Sequence, residues 1–135
     1  MIVVDTNVIA YAALSGPRRD DADRALARDR AWAAPPLWRS EFRNVLSRTL
    51  RAGRVSREDA LLRFIDAERL IGNRERAPST PMVLDLARVS GCTAYDCECV
   101  AVAMAQRARL VTEDRQVLRA FPEIALSLAA FAAGG

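Results

Sequence analysis

The sequence predicts an α/β fold: a mostly parallel sheet of about five short strands with helices on both faces. Three observations predict it. The chain opens on MIVV, an unbroken apolar run such as a strand buried on both faces needs, and closes it with Asp5. Short apolar stretches then alternate with stretches of helical period. Finally, residues 95–107 (YDCECVAVAMAQR) are apolar almost all round, as in a buried helix.

In chain order, residues 2–5 form the first strand. Thr6 or Asn7 caps a helix that runs to about Leu14, where Gly16-Pro17 breaks it. Residues 20–30 (DDADRALARDR) read as a polar, exposed helix, and AWAAPP as a strand ended by its prolines. Residues 37–53 make an amphipathic helix with Gly53 to stop it. The next helix has Ser56 as N-cap, Asp59 in the capping-box position and Gly72-Asn73 as terminator. A weak strand is expected over 74–78. Thr80 then caps a helix with Pro81 at its first position, ending at Gly91. After the 95–107 helix come the strand RLVT, a short helix EDRQVLRAF closed by Pro122, a last strand EIALSL, and an Ala/Gly tail expected to fray. There is no internal repeat or linker, so residues 1–135 are expected to form a single domain.

Composition narrows the chemistry. Apolar residues make up 51% of the 135 and mean hydropathy is −0.01, the profile of a soluble globular protein. No apolar stretch is long enough to span a bilayer, and Asp5 interrupts the N-terminal run too early for a signal peptide, so a cytoplasmic location is expected. All 20 basic residues are arginine; lysine and histidine are absent. That excludes a P-loop lysine, a Schiff base, serine–histidine and cysteine–histidine pairs, and histidine-ligated metals. The formal charge of +3 is compatible with a nucleic-acid partner and equally with a solvated arginine surface. Three cysteines, an odd count, argue against a disulfide framework. Cys97 and Cys99, two apart on a helix, point about 200° apart and cannot share a metal.

The acids are the informative residues. Ligands of open α/β sheets bind beyond the carboxyl ends of the strands, where Asp5 and Asp114 both fall. Each also has an ordinary use, as an Asx turn or a helix cap. Glu41 lies at the edge of the stripe Trp38, Phe42, Val45, Leu46 and Thr49; an acid so placed needs a partner, an arginine being the ordinary one. Asp96 heads the apolar line of Val100 and Ala103, where the helix dipole favours it. Glu98 projects roughly opposite and reads as a surface or supporting residue. Clustered acids without lysine or histidine repel one another unless protonated or bridged by a cation, and oxygen donors select magnesium or manganese over zinc.

The segments VVDTNV, LWRSEFRNVL, AYDCECVAVA and LVTED, in that order along nearly the whole chain, resemble the PIN-domain family, and within it the VapC-type ribonuclease toxins. The resemblance implies that Asp5, Glu41, Asp96 and Asp114 form the family's acidic quartet, with Asp5 and Asp96 as principal ligands of Mg2+ or Mn2+. It also implies that Thr6, Asn7 and Thr112 support the site. An RNA substrate, a cognate antitoxin protein and a homodimer follow from the same likeness, with no membrane role. Hydrolysis would leave a 5′ phosphate, since no histidine or lysine is present to run a 2′,3′-cyclic route. Arg39, Arg43 and Arg51 share the outward side of their helix, where they could grip phosphates or simply be solvated. Trp32, Trp38 and Phe42 could meet an antitoxin, though core packing accounts for most of them.

Rival readings are fewer. A haloacid-dehalogenase phosphatase needs D-x-D at the first strand and a lysine; here Asn7 takes the third place and lysine is missing, which also removes a receiver domain. A non-catalytic PIN-like scaffold that binds RNA or protein remains the main alternative, alongside an RNA-processing nuclease that has no antitoxin.

Overall fold

A computed structural model describes residues 1–135. Four strands form one parallel sheet: β1 (Ile2–Val4), β2 (Trp32–Ala33), β3 (Leu110–Val111) and β4 (Ala125–Leu126), in the order β2-β1-β3-β4. Val3 pairs with Ala33 on one side and Leu110 on the other, so β1 is the central rail. Its Asp5 amide continues the ladder to the Val111 carbonyl at 3.3 Å.

Period-two alternation divides the core. Ile2, Val4, Trp32, Ala34, Val111 and Leu126 face one side of the sheet; Val3, Ala33, Leu110 and Ala125 face the other. The first side is covered by α1 (Thr6–Ala13), α2 (Arg19–Arg28), α3 (Trp38–Arg51), α4 (Arg57–Ile71) and α8 (Leu128–Ala132). The second is covered by α5 (Thr80–Ser90), α6 (Ala94–Gln106) and α7 (Arg115–Ala120). Both faces being covered explains why the strands are apolar without a polar alternate. Trp32, Trp38 and Phe42 are all buried in the first core, with Phe42 and Trp38 stacked on Phe64 at ring separations of 5.9 and 5.5 Å.

Several local expectations change. The sheet has four strands, because residues 74–78 contribute a single bridge, Glu75 opposite Ala34. Arg74, Glu75 and Arg76 carry no apolar side chain to bury, so pairing stops after one residue. The cap of α1 is Asp5 and that of α5 is Ser79, each accepting the amide three residues on, where Thr6 or Asn7 and Thr80 were expected. Part of the expected tail is helical: Ser127 caps α8, and Leu128 and Phe131 are buried. They pack against α2, whose Ala22 and Ala25 are fully buried, so that helix is exposed only on its outer side. Arg28 secures the junction, its guanidinium over the Phe131 ring and bonded to the Phe131 carbonyl. No helix is long and apolar enough to cross a membrane.

Candidate functional site

Beyond the carboxyl ends of β1 and β3 lies a cleft of about 200 Å³ lined by Asp5, Glu41, Asp96 and Asp114. The first turns of α1, α3, α6 and α7 supply or border these acids, so four chain segments remote in sequence meet there. Thr6, Asn7 and Thr112 line it too.

Asp5 caps α1 through Oδ1, which accepts the Val8 amide at 3.0 Å. Its Oδ2 accepts the Thr112 hydroxyl and, at 3.3 Å, the Glu113 amide. Asp114 caps α7 through Oδ1, which accepts the Val117 amide at 2.9 Å; its Oδ2 has no protein donor. Capping and lining the cleft are thus compatible, because a carboxylate has two oxygens to divide between them. Glu41 Oε1 accepts the Thr6 hydroxyl at 2.8 Å, and Oε2 is uncommitted. Asp96 is the third residue of α6, whose Thr93 cap accepts the Asp96 amide at 3.1 Å.

None of the nine ion pairs in the molecule involves Asp5, Glu41, Asp96 or Asp114, so the arginine expected as Glu41's ordinary partner is not used. The charge shows in the titration behaviour. Burial pushes the Asp5 carboxyl above its ordinary range, against the pull of Thr112 and the two amides. Burial raises Asp96 as well, Thr93 opposes it, and the charge of Asp114 adds to it. Glu98, off the cleft wall, is raised by burial and then by the charge of Glu41, so it shares the field of the cluster. Cys99 lines the cleft, where burial followed by the charges of Asp5, Glu41, Asp96 and Glu98 holds it well into the thiol form. Its partner in sequence, Cys97, is buried in the second core.

The neighbouring Glu113 faces away. Its Oε2 accepts Arg18 Nη1 at 2.9 Å and its Oε1 accepts the Leu128 amide at the start of α8, also at 2.9 Å. Glu113 therefore fixes the loop whose amide reaches Asp5.

Of the candidate phosphate-gripping arginines, none lines the cleft. Arg39 is held by Glu68 and Glu75 at 2.5 Å each, and Arg43 lies over the Phe64 ring. The arginine on the cleft is Arg48, accompanied by Asn44 and Tyr95. A helical count from Glu41, three to Asn44 and seven to Arg48, is the signal that finds two of them.

The donor set suits a hydrated hard cation. No three Asp, Glu or Cys side chains converge closely enough to hold an ion unaided. Magnesium asks for only one or two carboxylates and completes its octahedron with water and substrate phosphate. Asp5 Oδ1 keeps a second lone-pair site, whereas Oδ2 already accepts two hydrogen bonds, and Asp96, Glu41 and Asp114 present oxygens that no protein group occupies. A zinc cage does not fit, with histidine absent and Cys99 the only thiol on the cleft.

A family model described as PIN domain matches residues 2–124. This chain belongs to the PIN-domain family. PIN domains are generally nucleases and usually bind a divalent metal. Among solved structures, this PIN domain is similar to the crystal structure of PAE2754 from Pyrobaculum aerophilum, with a TM-score of 0.72 and 22% identity over 98% of this chain and 93% of that one. At such identity the likeness speaks for the fold. No curated protein matches the chain.

Proposed function

We propose that this PIN domain, acting as a single domain over residues 1–135, is a magnesium- or manganese-dependent endoribonuclease and the VapC-type toxin of a toxin–antitoxin pair. One observation carries the reading: four carboxylates line a single cleft, and none is neutralised by any of the chain's 20 arginines. Such clustering is unfavourable in isolation and is typical of sites that use a cation.

Asp5 and Asp96 would hold the ion, with Glu41 and Asp114 beside them. When bound, it supplies positive charge to the phosphate and makes water acidic enough to serve as nucleophile near neutral pH. The protein's own part is positioning. Thr112 and the Val8 and Glu113 amides fix the Asp5 carboxylate, and Thr6 fixes Glu41. Asp114 Oδ2 and Glu41 Oε2 are the atoms free to take a proton from the attacking water. The product is a 5′ phosphate, because neither histidine nor lysine is available for a cyclic-phosphate route.

Two protein partners belong to this reading, an antitoxin that masks the cleft and a second copy of the chain. Open apolar surface supports them: Leu61, Leu62 and Ile65 on α4, and Leu84 and Val89 on α5, are exposed. We place the protein in the cytoplasm. The test is RNA cleavage with magnesium, with chelator, and with Asp5→Asn. Cutting is expected only in the first; cutting that survives chelator contradicts the mechanism. A small neighbouring reading frame encoding a DNA-binding protein is expected on the toxin assignment, and an isolated gene would point to RNA processing instead.

A further inference from the structure

We propose that Tyr95 and Arg48 hold the RNA at the cleft, one base stacking on the Tyr95 ring and one backbone phosphate bound by the Arg48 guanidinium. This inference rests on the nuclease reading above and adds to it two residues that grip the substrate.

Tyr95 is unusual in this molecule. The large aromatics Trp32, Trp38 and Phe42 are buried, whereas Tyr95 is 66% exposed on the cleft wall. Its hydroxyl makes no hydrogen bond within the protein, so neither packing nor bonding accounts for an aromatic ring in water there. It stands in the first turn of α6, immediately before Asp96, and its backbone is fixed by the Thr93 cap. With the backbone fixed, only the two side-chain torsions need to be ordered when a base lies against the ring, and every base offers a π-face.

Arg48 supplies the second observation. It is exposed on the same cleft and makes no ion pair or hydrogen bond, although other arginines of α3 and α4, Arg39 and Arg63, are bound to carboxylates. Four acids repel an approaching polyanion, so a phosphate chain needs a cation at the rim to enter. A guanidinium with all its donors free meets that need. Stacking on Tyr95 demands an unpaired, splayed base, which a duplex does not present.

The experiment separates binding from cutting. Binding of a short fluorescein-labelled single-stranded RNA of mixed sequence is read by anisotropy in the Asp5→Asn background, against the same strand annealed to its complement. Cleavage by the otherwise unaltered protein is followed in parallel. Tyr95→Ala is expected to weaken binding about 5- to 150-fold, with Tyr95→Trp restoring it. In the cleavage assay Tyr95→Ala raises KM while kcat is held. Arg48→Ala is expected to flatten the salt dependence of binding by about 0.7 in log–log slope. Duplex RNA should bind more weakly than the single strand and be indifferent to Tyr95. If the protein cuts RNA but Tyr95→Ala and Arg48→Ala bind and cut like the parent, the inference is overturned while the nuclease reading stands. Tyr95-dependent binding of single strands without any cutting would sustain the inference and remove the nuclease. A protein that binds no RNA removes both.

Discussion

Thr112→Val changes little in shape and removes one oxygen. That hydroxyl is buried (2% exposed), donates to Asp5 Oδ2, and accepts the Asp114 amide at 3.1 Å. The first contact is a hydrogen bond to a charged acceptor, worth about 1.5–3 kcal/mol. The second leaves an amide unpaired at a partly buried site, at about 1–3 kcal/mol if water cannot reach it. Because the cleft admits water to Asp114, the lower part of that second range applies, and the expected total is about 3 kcal/mol. For a chain of this size that corresponds to a melting temperature lower by roughly 10 °C. Circular dichroism at 222 nm, with chelator present, measures it. Thr112→Ser keeps both contacts and should melt close to the parent. There is also a signature specific to the site: Thr112 is the strongest influence drawing the Asp5 carboxyl down, so without it that carboxyl rises further. On the nuclease reading, the acidic limb of the activity profile then moves to higher pH. A Thr112→Val protein within about 0.5 kcal/mol of the parent, with an unmoved pH profile, would refute the reasoning.

Asp5, Asp96 and Glu98 all titrate above their ordinary values, so between those values and the raised ones the folded state binds more protons than the unfolded chain. Stability of the metal-free protein should therefore fall as pH rises through that window; thermal melts in chelator across mildly acidic to neutral pH test this, and a flat or rising profile counts against it. Phe42→Ala empties a fully buried position between two aromatic rings and should cost about 3–5 kcal/mol in urea unfolding. Phe131→Ala removes the anchor of α8 and the ring beneath Arg28, with an expected loss of about 3 kcal/mol and faster proteolysis of the C-terminal residues.

The architecture was legible because strands buried on both faces must be apolar throughout, as IVV, WA and LV are. Segments with mixed signals were less so. In EIALSLAAFAAGG nearly every residue is apolar, which suits strand and helix alike; the one discriminating feature is Ser127, whose hydroxyl ends the strand by capping α8. Ser79 and Thr80 are both competent caps, and only the backbone turn decides between them. At the cleft, the convergence of Asp5, Glu41, Asp96 and Asp114 could be expected from strand ends and helix faces. Arg48 was within reach of a helical count from Glu41, but Arg39, Arg43 and Arg51 on the same helix drew the reading to its outward side instead. Cys99 and Glu98 were harder still, for the charge of Glu41 reaches them from α3, a segment remote in sequence, which periodicity along α6 does not report.

Glu113 has a practical implication for handling the protein. Through this one side chain the loop that feeds Asp5 is latched to the leading amide of the final helix, only a few residues from Gly135. Affinity tags, fusions or truncations beyond α8 are therefore expected to disturb the loop beside the acid cluster, and activity assays call for protein without a tag at that end. The opposite end is no freer, since the α-amine of Met1 is paired with Asp29 at 2.6 Å. The solvent-facing turn at Gly53, between α3 and α4, offers a gentler place for a label.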